Sequence, residues 1–321
     1  MELGAQDVPG DHDVLGDCKM NPKYLGYACL AIAVFSFSSY EVISKFVEGY
    51  VDPTQLTFVR FLIGGMVLMP FAFTHLKKKG IRLRGKDYFI LFLLGILNVT
   101  VSMNLIQIGM EYTPANLAAM IISSNPVFVA LFSSIFLKER LTLTKAVGLL
   151  IGIVGVAIAL GATASPLDSR FYLGVGLQTA GMIAFSLFTV LGKKTVLSIG
   201  SITLNAYSSI FGSLTILPFV LMKGISPFQI DWQPIWWEMA YICVGNTGLA
   251  FFLYFKALEY LDTSFAATTF FVKPILASLL ATVILGEAFS LNMVAGIAFV
   301  LVGIYFVNKQ EKKPLVASRR M

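Results

Sequence analysis

What most limits the fold of this chain is a repeat at a fixed spacing. Tyr112, Ala118, Ala119, Pro126, Leu131, Glu139 and Leu143 reappear 148 residues later as Tyr260, Ala266, Ala267, Pro274, Leu279, Glu287 and Leu291. The spacing holds over most of the sequence. Gly26, Phe37, Lys45, Gly64, Pro70, Phe71 and Asn98 match Gly174, Phe185, Lys193, Gly212, Pro218, Phe219 and Asn246, and Gly148 and Gly155 match Gly296 and Gly303. No gap is needed, so the two halves read as copies of one structural unit.

Each unit is built of apolar runs. The 321-residue chain is 57% apolar and 13% charged, whereas a soluble domain carries about 25% charged residues. About 20 apolar residues cross a bilayer as a helix. The sequence therefore predicts an all-α membrane protein with ten transmembrane helices, near 24–46, 54–75, 88–109, 115–137, 143–161, 171–191, 201–222, 236–257, 264–285 and 291–308. Five spans per unit is an odd number, so the second unit must be inverted relative to the first. The expected layout is two inverted five-helix repeats, 22–162 and 170–309, between a disordered cytoplasmic tail (1–21) and a basic cytoplasmic tail (310–321). The first tail holds Asp7, Asp11, Asp13 and Asp17 among Gly and Pro. That is the composition of a chain that cannot bury a core, and it lacks the basic and apolar regions of a signal peptide.

The net charge of +6 is explained by membrane orientation, with no need for nucleic acid. Lys77, Lys78, Lys79, Arg82, Arg84 and Lys86 crowd one loop. Counting spans alternately puts Lys138, Arg140, Lys193, Lys194 and the C-terminal Lys309, Lys312, Lys313, Arg319 and Arg320 on the same side, while the other side receives little beyond Arg170 and Lys223. Both termini are expected in the cytoplasm, and the protein in the plasma (inner) membrane. Cys18, Cys29 and Cys243 show no metal-ligand spacing and no disulfide framework. Gly192-Lys193-Lys194-Thr195 mimics the end of a phosphate-binding loop, but Leu187 stands where its first glycine belongs. His12 and His75 form no hydrolase constellation. An enzyme, a metal site and a cofactor are therefore not expected.

Inverted repeats are a signature of secondary transporters, whose sites lie near the midplane between repeats; any duplicated membrane gene would also show a repeat. The segments EYTPANLAAMIISSNPVFVALFSSIFLKERLT and EYLDTSFAATTFFVKPILASLLATVILGEAFS resemble the two halves of EamA-type proteins of the drug/metabolite transporter superfamily, and LTFVRFLIGGMVLMPFAF resembles the second helix of that family's repeat. The resemblance covers about residues 24–308. It implies ten helices in two inverted repeats and movement of small amino-acid-like or drug-like metabolites, with export as the expected direction. Lys273 departs from the pattern: its place in the first repeat is Asn125.

Charges inside the spans are the strongest local signal, because one at the bilayer centre costs about 2.5–3.5 kcal/mol on insertion scales. Glu41 and Lys45 stand four residues apart on one face of the first span, and Arg60 lies at a similar depth in the second. They could pin those helices together by salt bridges, or line an outer vestibule. Lys273 sits near the middle of the ninth span, before Pro274. It could pair with a carbonyl or with Glu41, or face a central cavity and attract a carboxylate or phosphate. Asn98 and Asn246 are repeat mates that could bind substrate or hydrogen-bond between helices. Asn104, Gln107, Tyr40 and Tyr254 are weaker candidates of the same kind. Pro126 and Pro274 are expected to bend their spans as hinges. Gly148, Gly152 and Gly155 form a small-residue stripe for close helix packing, with a homodimer face as the alternative. Glu139 and Glu287, just before helix starts at Thr142 and Ser290, are expected to serve those helix dipoles.

The expected function is thus a secondary transporter of a small polar or anionic metabolite, embedded in the lipid bilayer. A membrane scaffold or receptor of the same fold, or a channel, is the alternative.

Overall fold

The computed structural model describes residues 22–47, 49–110, 112, 121–122, 124–139, 142–160, 169–285 and 291–308. Both tails, Glu287, and the side chains of Glu41, Lys45 and Pro274 lie outside the described residues.

Among the described residues the structure is helical and contains no strand. In chain order the helices are α1 (Pro22–Val47), α2 (Pro53–Lys78), α3 (Gly85–Met110), α4 (Asn125–Phe136), α5 (Leu143–Leu160), α6 (Ser169–Ile199), α7 (Ser201–Met222), α8 (Trp236–Tyr260), α9 (Thr263–Thr268), α10 (Lys273–Leu285) and α11 (Leu291–Asn308). Six of them, α1, α2, α3, α6, α7 and α8, are long and apolar enough to cross a membrane, and shorter apolar helices accompany them. The chain is a multi-pass membrane protein.

Polar residues set where the helices begin. The Asp52 carboxylate accepts from the backbone N–H of Thr54 at 2.8 Å and of Gln55 at 3.3 Å, ahead of Pro53, which has no N–H to satisfy. Asp262 accepts from the N–H of Phe265 at 3.1 Å and starts α9. Between α6 and α7 the turn is a single residue, Gly200, at φ +86°. A side chain there would be strained and would collide with the His75 ring.

The packing follows the repeat. α2 packs on its own mate α7, and α5 on its mate α11. α1 packs on α8 while α3 packs on α6, which is the same contact with the halves exchanged. Repeated glycines make this approach close. A Cβ on Gly212 would lie 2.5 Å from the carbonyl oxygen of Gly95 and from Val99; one on Gly64 would lie 2.8 Å from the carbonyl oxygen of Cys243 and 3.3 Å from Thr247. Cys243 and Thr247 follow Gly95 and Val99 by 148 residues. The glycine stripe of α5 is used within the chain: a Cβ on Gly303 of α11 would lie 2.7 Å from the Gly148 carbonyl oxygen and 2.8 Å from the Gly152 nitrogen.

The expected bends are helix breaks. In the second half α9 gives way to one 3-10 turn, Thr269–Phe271, where the Val272 N–H donates to the Thr269 oxygen at 3.0 Å before α10 begins at Lys273. In the first half the Ser124 N–H donates to the Ile121 oxygen at 3.0 Å, and α4 begins at Asn125. These are the same bond at mated positions. Pro126 and Pro274 therefore stand in the first turn of a new helix, where a missing N–H costs nothing. Two π-helical stretches, Ile96–Met103 in α3 and Tyr241–Ala250 in α8, also overlap under the repeat and contain Asn98 and Asn246.

The bundle has two distinguishable ends. At one, Asp52 meets Lys223 at 3.2 Å and Gln55 Nε2 donates to the Ser226 oxygen at 2.9 Å. At the other, Glu139 meets Lys193 and Lys145 meets Asp262, both at 3.2 Å. We call these the Asp52 end and the Glu139 end.

Candidate substrate cavity

A cavity of about 80 Å³ lies between the halves. That is room for several water molecules or for the polar head of a small solute. α1 supplies Phe37 and Tyr40, α2 supplies Arg60, and the last turns of α3 supply Met103, Gln107 and Met110. Phe185 and Met182 come from α6, Asn246 and Phe251 from α8, and Phe270 and Lys273 from the broken segment. Met110 ends α3, and Tyr40 and Arg60 lie seven residues from the ends of α1 and α2 on the Asp52 side, so the cavity is displaced toward that end.

Aromatic rings form its inner wall. Phe37 meets Phe251 at 5.1 Å and Phe270 at 5.9 Å between centroids, and Phe185 meets Phe270 at 5.9 Å. Polar groups form the rest. Gln107 Nε2 donates to the Tyr40 hydroxyl at 2.8 Å, and Asn246 Nδ2 donates to the Ser36 carbonyl oxygen at 2.7 Å. The Arg60 guanidinium lies 4.8 Å from the Tyr40 ring centroid and 5.0 Å from that of Phe61. Arg60 is 3% exposed, and among the described residues its Nε meets no acceptor. None of the described lining residues is acidic. Two cations in a low-dielectric wall repel each other and attract an anion more strongly than they would in water.

Of the residues singled out from sequence, the structure brings Lys273, Asn246 and Arg60 to this cavity, with Tyr40 and Gln107 beside them. Lys273 is half-buried at the first residue of α10, not in mid-helix as expected. There its ammonium adds to the positive end of a helix dipole, a combination suited to an anion. Asn98 is buried and does not line the cavity. Tyr254 lies behind the wall, its ring 5.6 Å from Phe270 and 6.1 Å from Phe37. The apolar lining was missed, although the pairing of Phe37 with Phe185 under the repeat was a signal available for it.

Glu139 takes a partner that local sequence does not announce. Expected to serve the helix after it, it reaches α9 in the other half. It accepts from the Thr263 N–H at 3.2 Å, the Ser264 N–H at 3.4 Å, the Ser264 hydroxyl at 3.1 Å and Lys193 Nζ at 3.2 Å. Burial opposes its ionised form, but the Lys193 charge and the Thr263 and Asp262 bonds outweigh this and hold the carboxyl down at about 2.

Comparison with known proteins agrees with this architecture. An uncharacterized transporter of Clostridium kluyveri is 30% identical over 294 residues, covering 90% of this chain and 94% of its own. The uncharacterized transporter YvbV of Bacillus subtilis is 28% identical over 305 residues, covering 94% and 97%. A protein of Rickettsia felis named S-adenosylmethionine uptake transporter is 23% identical over 292 residues, covering 90% and 94%. A solved structure titled "Crystal structure of protein" superposes with a TM-score of 0.73 at 18% identity over 90% of this chain and 96% of that one, a likeness of fold. The model of the EamA-like transporter family matches residues 24–161 and again 172–309. The chain belongs to the EamA-like transporter family.

Proposed function

We propose that this protein is a secondary transporter that carries a small polar or anionic metabolite by alternating access between two inverted five-helix repeats. The carrying observation is the cavity itself, where Arg60 and Lys273 stand beside Asn246 and the Gln107–Tyr40 pair against an aromatic wall. The charges attract a carboxylate or phosphate, the amides orient it, and the rings receive an apolar body. The inverted arrangement of ten spans is supported by the odd number of spans per repeat and by helix contacts that survive exchange of the halves. No catalytic step is part of this reading. The basic residues gathered at the Glu139 end support a plasma (inner) membrane protein with both termini in the cytoplasm.

The family resemblance implies export, while the Rickettsia felis relative is named for uptake, so both directions belong in the assay. Purified protein in proteoliposomes is given labelled carboxylates (S-adenosylmethionine among them), phosphate esters and amines. Saturable flux with counterflow for an acid, lost in Lys273→Ala and Lys273→Gln, is the expected result. Unchanged transport in both variants would end the anion reading. Flux without saturation or counterflow would make the protein a channel, and binding without flux a receptor or scaffold.

A further inference from the structure

The cavity is lopsided under exchange of the halves. Six of its fourteen residues are mates of one another at the 148-residue spacing: Phe37 with Phe185, Met103 with Phe251, and Ile122 with Phe270. These sit where both halves contribute alike. The other eight have mates elsewhere, and every one of those mates is 5% exposed or less.

The polar mates are telling. Lys273 corresponds to Asn125, Arg60 to Ser208, and Asn246 to Asn98. Asn125 is 0%, Ser208 1% and Asn98 1% exposed. Among the described residues, Asn125 Nδ2 and Oδ1, Ser208 Oγ and Asn98 Oδ1 all lack a hydrogen-bond partner. A buried polar group without a partner is costly and uncommon in a static core. Several buried side chains are in this position among the described residues, and three of them are the mates of Lys273, Arg60 and Asn246. Ser208 and Asn98 also belong to one contact: a Cβ on Gly95, one turn before Asn98, would lie 2.5 Å from the Ser208 carbonyl oxygen. The mates of Tyr40 and Gln107 are Phe188 and Phe255. Where the first pair is hydrogen-bonded in the cavity, the second is packed edge to face with centroids 5.1 Å apart.

We propose that Asn98, Asn125 and Ser208 form a second half-site, closed in this structure by Phe188 and Phe255, which opens to the Glu139 end and holds the substrate there. It is neutral: amides and a hydroxyl stand where the open cavity has an ammonium, a guanidinium and an amide. The ligand it takes is therefore a group that hydrogen-bonds, gripped by charge only at the Asp52 end. This rests on the alternating-access reading above.

The test uses single cysteines in a Cys18→Ser, Cys29→Ala, Cys243→Ala chain, reconstituted with one orientation and probed with a membrane-impermeant maleimide from each side. Ser208→Cys, close in size to the native residue, and Asn125→Cys report on the closed half; Met110→Cys reports on the open cavity. Breaking the Glu139–Lys193 pair, which joins the two halves, with Glu139→Gln weakens the Glu139 end. The expected result is labelling of Ser208→Cys and Asn125→Cys from the Glu139 end only, at least fivefold faster after that substitution, with Met110→Cys slowed. Ser208→Cys and Asn125→Cys that stay unreactive from the Glu139 end overturn the proposal. Met110→Cys then tells the two ideas apart. If it slows, alternating access stands without this half-site. If it does not change, the alternating-access reading falls too.

Discussion

The carboxylate of Glu139, from the first half of the chain, lies 3.2 Å from the ammonium of Lys193 in the second, and Lys193 donates in turn to the Leu261 carbonyl oxygen at 2.9 Å. Both side chains are mostly buried, and the same carboxylate caps the start of α9. This cluster joins α4, α6 and α9 where the halves meet, so its loss should be felt by the whole bundle.

Glu139→Gln should lower stability at pH 7 by about 3 kcal/mol, the scale for breaking a buried pair. The pH dependence has a definite sign. With the folded carboxyl at about 2 against an ordinary 4.5, its contribution is complete above about pH 4.5 and is lost as the pH falls toward 2. Melting in detergent should show a slope in that window for the native chain that is smaller in Glu139→Gln. Equal slopes would remove Glu139 as its source.

Asp262 has two separable roles. It caps α9 through the Phe265 N–H and pairs with Lys145, which is 7% exposed. Asp262→Asn keeps the cap but leaves the lysine without its carboxylate. Asp262→Ala loses both and should be less stable by a further ~1 kcal/mol. Adding Lys145→Met to Asp262→Asn should recover much of the loss, which a double-mutant cycle would measure. At the opposite end, Lys223→Ala breaks a more exposed pair and should cost under about 1 kcal/mol.

Gly212 should not tolerate a methyl group. Its Cβ would strike the Gly95 carbonyl oxygen and Val99 at 2.5 Å, so Gly212→Ala should destabilise by about 1–3 kcal/mol. Gly176, with nothing within 4 Å of its Cβ position, is the control. Gly176→Ala should be neutral or slightly stabilising, by up to about 1 kcal/mol. Similar melting temperatures for the two variants would contradict the close α3–α7 approach.

Arg60 is placed by a ring rather than a hydroxyl. Tyr40→Phe keeps the face beneath the guanidinium and removes only the acceptor for Gln107. Tyr40→Leu removes the face, worth about 1 kcal/mol. For an acid carried in the transport panel, Tyr40→Phe should leave KM close to native and Tyr40→Leu should raise it about fivefold. The reverse order would mean that the hydroxyl, and not the ring, matters.

How far the sequence could be read follows from what a bilayer penalises. Long apolar runs and the Gly148, Gly152 and Gly155 stripe announce helices and close approach, so the helices and the repeat were legible, while which mates pack together was not. A charge in an apolar run is costly, which is why Arg60 and Lys273 stood out and proved to share a cavity. The same cost does not say which wall a polar group faces. Asn98 and Asn246 look alike in sequence, yet only Asn246 lines the open space. The break before Lys273 was hidden because Thr269–Phe271 is as apolar as the helix it interrupts. The reach of Glu139 to Thr263 and Ser264 was hidden because both lie more than a hundred residues away.

The contact of Gly303 with Gly148 and Gly152 bears on self-association. Backbone that is already zipped to backbone within one chain is not available to a neighbour. Among the described residues, those that α5 and α11 expose include Leu150, Val154, Phe299, Leu301 and Tyr305. Two copies meeting there would bring these branched and aromatic side chains into contact. Their association would then depend on the lipid they displace, and would be sensitive to the composition and thickness of the membrane around them.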